Sequence, residues 1–173
     1  MAAISRSNRS NSGIALIIGG ALVILTQLLP LLGVSLPWLW ILAYAAIAVA
    51  LVILALGAVN NIVAKIALFV GAAGFAIIAL TGFGIALPGI LVSIAATLAG
   101  LGFLIGAAVL YVGKEITNRS GIAFVVAGAL AAVTLLGLLA IVGLGAVTTV
   151  FVIAFGAALI VSGVLFRQTE NRR

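Results

Sequence analysis

SGIALIIGGALVILTQLLPL, residues 12–31, returns in altered form as SGIAFVVAGALAAVTLLGLL at residues 120–139. At this offset of 108 the two agree at 10 of 20 positions, from Ser12/Ser120 through Gly20/Gly128 and Thr26/Thr134 to Leu31/Leu139. A chain so rich in Ala, Leu, Ile, Val and Gly gives roughly two such matches by chance, so the pair reads as an internal repeat. A fainter third copy lies between them. Ile66-Ala67 opens it, Gly71 aligns with Gly19, and Ala73 aligns with Ala21 and Ala129. Three related apolar helices therefore begin near residues 13, 66 and 121.

The composition around this repeat leaves one solvent. Of 173 residues 66% are apolar and 6% charged, with a mean hydropathy of +1.55, too little polar surface to cover a water-soluble domain. The partner it demands is the lipid bilayer. There is no Cys, His or Asp, and Glu115 and Glu170 are the side-chain carboxylates. Disulfides, thiolate or imidazole metal ligands and most general acid–base schemes are thereby excluded. No catalytic residue, cofactor or metal site is expected, and the chain does not read as an enzyme. None of the phosphate-binding glycine patterns follows a strand either.

Along the chain, residues 1–12 form a Ser/Asn/Arg tail with Arg6 and Arg9. A basic start before an apolar run resembles a secretory signal. The run is about 20 residues, enough to cross a ~30 Å hydrocarbon core, and its repeat partner lies mid-chain, so it is expected to be a retained helix. Six spans follow from the hydropathy and the turn residues: Gly13–Leu32, Pro37–Ala58, Ile66–Ile85, Gly89–Val112, Gly121–Val142 and Ala146–Phe166. Pro30 and Pro37 bracket the first turn, and Trp38 and Trp40 open the second span where amphipathic rings suit the headgroup layer. Asn60, Asn61 and Lys65 mark the next break; Gly82, Gly84 and Pro88 the one after; Gly143 to Gly145 the last. The expected fold class is an all-α polytopic membrane protein: one six-helix domain over 13–166, built as three tandem hairpins (13–58, 66–112, 121–166), with a second tail over 167–173.

With six spans, all eight Lys/Arg residues fall on one side and the opposite turns carry no charge. Cations near helix ends are retained in the cytoplasm, which predicts a multi-pass protein of the cell membrane with both termini cytoplasmic. The net charge of +6 is therefore topogenic, with contact to anionic lipid as an addition. Nucleic acid is not an expected partner, because no basic stripe with interleaved aromatics exists. Glu115, beside Lys114 and near Arg119, reads as part of a solvated charge cluster.

In lipid, close helix contact depends on small residues that let backbones approach. Candidates recur at matching places: Ala15/Gly19, Ala67/Gly71 and Ala123/Ala127 on the odd spans; Gly102/Gly106, Ala46/Ala50 and Ala154/Ala158 on the even ones. The even spans also close on the pairs Ala50…Gly57, Gly106…Gly113 and Gly156…Gly163. Units of two spans enter the membrane in the same direction, so these are parallel repeats about an axis along the membrane normal. A pseudo-threefold packing with small-residue faces inward is expected. Gly102/Gly106 is the strongest pair, and Leu104 is taken to face lipid.

Polar residues inside the spans are few. Gln27 is the most costly, since hydrocarbon offers its amide no partner; a bond to a neighbouring helix, worth about 0.6–2 kcal/mol, is expected. Thr26 and Thr134 are expected to bond back to their own helices. No span holds an ionisable acid or base of the kind coupled carriers place at mid-membrane. A pore lined by backbone carbonyls stays open as an alternative.

Gly19-Gly20-Ala21-Leu22, followed by Leu28-Leu29-Pro30 closing the first helix, within three tandem hairpins, resembles the HdeD family of small bacterial membrane proteins. The second hairpin departs from it with Gly82 where Pro30 maps, and the third with Leu138. The resemblance implies a six-helix fold and an association with stress and acid resistance, and it brings no catalytic residues. The expected function is thus non-enzymatic, acting through packing, membrane integrity or a partner. Alternatives are a subunit or assembly factor of a larger membrane complex, and a passive channel or small-solute carrier. A second copy of the chain, or another membrane protein, is an open partner.

Overall fold

The computed structural model describes residues 4–58, 61–137 and 147–168. These are all-α: α1 Arg6–Leu31, α2 Trp38–Gly57, α3 Ile62–Thr81, α4 Gly89–Val112, α5 Asn118–Leu135 and α6 Thr148–Gln168. All six are long and apolar enough to cross a membrane, which makes this a multi-pass membrane protein in form. The turn expected at Gly143–Gly145, Asn60, and the tail beyond Gln168 lie outside the described residues.

Capping chemistry sets most of the differences from the expected boundaries. α1 begins at Arg6 and not Gly13, because the Ser5 hydroxyl accepts the Asn8 N–H at 3.3 Å and so starts the helix inside the polar tail. α3 begins at Ile62 and not Ile66, because the Asn61 side chain accepts the Ala64 N–H at 3.1 Å. α5 ends at Leu135 and not Val142; Gly137 turns left-handed just beyond it (φ 65°) and stops the helix. Pro30 sits inside the last turn of α1 and does not open the turn that follows. Pro88 caps α4 at the expected place.

Each helix runs antiparallel to the next, and α6 packs back on α1, so the six close into a ring. Arg6, Arg9, Lys65, Lys114, Arg119 and Arg167 consequently gather at one end, where α1 starts and α6 finishes. The axis of the ring is filled. Trp40 stacks on Tyr44 (5.4 Å) and Tyr44 on Phe75 (5.8 Å); Phe75 then meets Phe103, and Phe103 meets Phe124 and Phe155. Phe124 reaches Phe166 at 5.4 Å. Five helices thus share one chain of rings running through a single apolar core. At the cationic end Ile4 and Ile116, from segments outside the helices, close the core over.

The seams differ in what they are made of. At α3/α4 the backbones touch: a Cβ on Gly102 would stand 2.5 Å from the Gly71 nitrogen and 2.7 Å from the Ala67 oxygen. One on Gly74 would strike the Ala99 nitrogen and lie 2.5 Å from the Ala95 oxygen. At α1/α6 the contact is reciprocal, Gly20 against the Gly156 oxygen (2.5 Å) and Gly156 against the Gly20 oxygen (2.8 Å). Gly13 and Gly163 form a second reciprocal pair toward the cationic end. At α4/α5, Gly100 meets Ala132 and Gly128 meets the Leu104 Cα at 2.8 Å. That last contact places the Leu104 backbone in the α4/α5 seam, and the residue is half-buried, so it stands at the edge of a seam and is not plainly lipid-facing.

Candidate functional site

The turn from α4 into α5 holds the one group in the described residues whose chemistry is left unanswered. Gly113 caps α4, and Lys114 follows in the left-handed region (φ 55°). The Glu115 N–H then returns to the Leu110 oxygen at 3.1 Å, and the Lys114 N–H to the Tyr111 oxygen at 3.1 Å. This is the Schellman arrangement, in which the second residue past the cap folds back against the last helical turn. That place normally takes an apolar side chain. Here it takes Glu115.

Glu115 is therefore buried, 6% exposed, and its Oε2 has no hydrogen-bond partner. The reading of a solvated charge cluster is corrected: the left-handed residue is Lys114, one later than Gly113, which turns the next side chain inward instead of outward. Lys114 and Arg119 stay exposed, and no ion pair joins either to Glu115 among the described residues. The surroundings include the N-terminal end of α3. A Cβ on Gly113 would lie 3.3 Å from Asn61 Nδ2 and 3.7 Å from Glu115 Oε1, so the cap of α3 and the end of α4 meet here. A helix N-terminus favours a nearby anion and offsets part of the burial cost. On the other side Thr117 and Ser120 share a hydroxyl contact of 2.7 Å at the start of α5. One carboxylate, an amide and two hydroxyls can hold a proton or receive a cationic group. Among the described residues no cluster of acids, His or Cys could bind a metal ion.

Three substitutions test this turn. Lys114→Gly removes the steric cost of a left-handed non-glycine residue and should stabilise by about 0.5–1 kcal/mol. Glu115→Leu should stabilise more, by about 1–3 kcal/mol, because it removes an unsatisfied buried group where an apolar one is wanted. Glu115→Gln should fall between. Thermal unfolding in mild detergent gives the order; a Leu variant less stable than the unmodified chain would mean the carboxylate has a partner in the protein as purified.

The intramembrane candidate is less eventful. Gln27 is half-buried, and its Nε2 lies 3.5 Å from the Thr26 hydroxyl on its own helix, not on a neighbouring one as expected. Thr26 donates to the Val23 oxygen at 2.6 Å and Thr134 to the Leu130 oxygen at 2.8 Å, each back into its own helix as expected. Of the small-residue candidates, Gly19 faces Ile47 on α2, while Gly71 and Gly102 face one another, with the Ala67 oxygen beside them. Gly106 meets the Leu68 side chain and Gly156 meets α1. Ala127 is fully buried; Ala15 and Ala123 are half-buried. Sequence reasoning passed over Gly13, Gly20 and Gly74 as contacts, and it missed the burial of Glu115.

No protein-family model, curated protein or solved structure matches this chain.

Proposed function

We propose that this is a non-enzymatic protein of the bacterial or archaeal cytoplasmic membrane, HdeD-like in kind, whose packed bundle itself carries a role in membrane integrity or stress survival. The observation that carries the reading is the filled axis: among the described residues the ring of helices surrounds aromatic side chains packed into one apolar core. Backbone-to-backbone seams at α1/α6 and α3/α4 support the same view, since such contacts make a rigid, tightly closed unit. Purified protein in lipid vesicles should pass ions and small neutral solutes no faster than empty vesicles. Cells lacking it should survive acid or membrane stress less well and recover when it is restored. Saturable flux would promote the channel reading instead.

A second reading, a subunit or assembly factor of a larger complex, draws on Glu115, whose buried carboxylate lacks a counter-charge within the described chain. It calls for a stoichiometric neighbour that co-purifies in mild detergent and is lost in Glu115→Leu.

The cationic end supports cytoplasmic termini. Reporter fusions after residues 35, 86 and 144 should then report the outside, and after 62 and 117 the inside. Origin of the first and third hairpins from one copied unit is supported by α1 and α5, while α3 carries Lys65 and Ala72 at the corresponding places. Gly13 and Gly20 face the helix that precedes α1 in the ring, and their repeat partners Gly121 and Gly128 likewise face the one preceding α5. The even helices depart from it: Gly106 faces back to α3, whereas Gly156 faces forward to α1.

A further inference from the structure

The α1/α6 seam does not stop at its glycines. Gly13 faces Gly163 across it, and one turn nearer the cationic end the same two edges carry Arg9 on α1 and Arg167 on α6, four residues beyond each glycine. The two helices run antiparallel, so these arginines stand opposite one another. A Cβ on Gly13 would lie 3.2 Å from Arg167 Cγ, which lays the Arg167 stem across α1 itself, within about a turn of Arg9. Arg9 is half-buried, and Arg6 stands further out on the same helix.

This is a pair of like charges that the fold holds together. Backbones touch at Gly13 and Gly163, so α1 and α6 have no room to part the two guanidiniums. Neither guanidinium has a hydrogen bond or ion pair among the described residues, where α1, α5 and α6 carry no acidic side chain. Glu115, the carboxylate of the described residues, is buried in the α4–α5 turn. The kind of cation is also sorted around the ring. The described arginines, Arg6, Arg9, Arg119 and Arg167, all lie on α5, α6 and α1, whereas Lys65 and Lys114 belong to α3 and the end of α4. A guanidinium presents paired donors that match two oxygens of one phosphate; an ammonium acts as a point charge.

Depth and surroundings say where such a phosphate comes from. Arg9 to Leu31 along α1 is about 33 Å at ~1.5 Å per residue, which crosses ~30 Å of hydrocarbon and leaves Arg9 at the level of lipid phosphates. Inward of Gly13 the seam is flanked by Ile17, Ile24 and Ile160, each half-buried, an apolar surface on which an acyl chain can lie. A zwitterionic lipid brings its own ammonium and cancels part of the attraction to two arginines; an anionic lipid does not.

We propose that Arg9 and Arg167 form a site for the phosphate of one anionic phospholipid, which bridges the first and last helices and fastens the ring at its cationic end. The thermal aggregation midpoint of the protein in nonionic detergent reads this. Phosphatidylglycerol added to the micelles should raise the midpoint by at least about 3 °C, whereas phosphatidylcholine, or inorganic phosphate at the same concentration, should not. Arg9→Gln and Arg167→Gln should each lose most of that rise, and Lys65→Gln and Lys114→Gln should keep it. In detergent alone the two arginine variants should be at least as stable as the unmodified chain, because each relieves the repulsion; their lost response is then one of binding and not of folding. An equal rise with phosphatidylcholine, or equal losses from the lysine and arginine variants, would overturn the site, since the effect would belong to the micelle or to the charge of that whole end. A full rise with inorganic phosphate would overturn lipid as the source. Arginine variants less stable in detergent alone, or a Glu170→Gln variant that is, would sink it as well, because the chain's own tail would then supply the counter-charge.

Discussion

Gly102→Leu should leave the protein unable to hold its fold in detergent at temperatures where the unmodified chain is stable. A side chain there has no soft neighbour to displace: the first atoms it meets are the Gly71 nitrogen, the Ala67 oxygen and the Gly71 Cα, at 2.5, 2.7 and 2.8 Å. Overpacking a core costs about 1–3 kcal/mol when side chains can shift, and here two helices must separate along their length, so the loss should exceed that range. Gly106→Leu is the instructive contrast. Its Cβ would meet the Leu68 Cδ2 at 2.6 Å, the flexible end of a side chain, and its loss should stay near about 1–3 kcal/mol. Ile105→Phe, at a position 48% exposed to the surroundings of the bundle, should be nearly neutral. Thermal aggregation of the three variants side by side checks the order. If Gly102→Leu and Ile105→Phe behave alike, the α3/α4 seam is not as close as described.

Gly20→Leu and Gly156→Leu should each open the ring where its first and last helices meet. Each glycine faces the other's carbonyl oxygen, so either substitution forces the same separation. Once the seam is open the second substitution has little left to disturb, and the double variant should cost far less than the sum of the singles. Hydrogen exchange distinguishes this from general loosening: amides of α1 and α6 should lose protection while those of α3 and α4 keep theirs. Uniform loss across all six helices would mean that the ring unfolds as one unit, with no separable seam.

The helices were legible in the sequence because two periodic signals agree. Apolar runs of membrane length alternate with breaks, and every other break carries Lys or Arg. Ends were less so, since Ser5 and Asn61 extend α1 and α3 backward with single side-chain caps inside stretches that read as polar loop. The α1/α6 seam was half visible. The seven-residue pair Gly156…Gly163 was read on α6, but on α1 small residues four apart were the template, which found Gly19 and passed over the counterpart pair, Gly13 with Gly20. A seven-residue spacing keeps one edge of a helix facing one neighbour over two turns. Gly74 escaped because it continues the stripe of Ala67 and Gly71 by three residues and not four. The burial of Glu115 depends on which residue of the Gly113-Lys114 pair goes left-handed. Glycine is the ordinary choice, and the chain makes the other one.

The α1/α6 seam also fixes an order of events during synthesis. α1 enters the membrane first and α6 last, so the glycine edge of α1 waits through the making of four helices before its partner exists. Throughout that interval Gly13 and Gly20 present a shallow, ready groove to any passing helix with small residues. The α6 of another copy would fit as well as its own, and the outcome would be an exchanged dimer. The ribosome's pace over the last hairpin, and the crowding of nascent copies in the same patch of membrane, then help to decide whether the ring closes on itself.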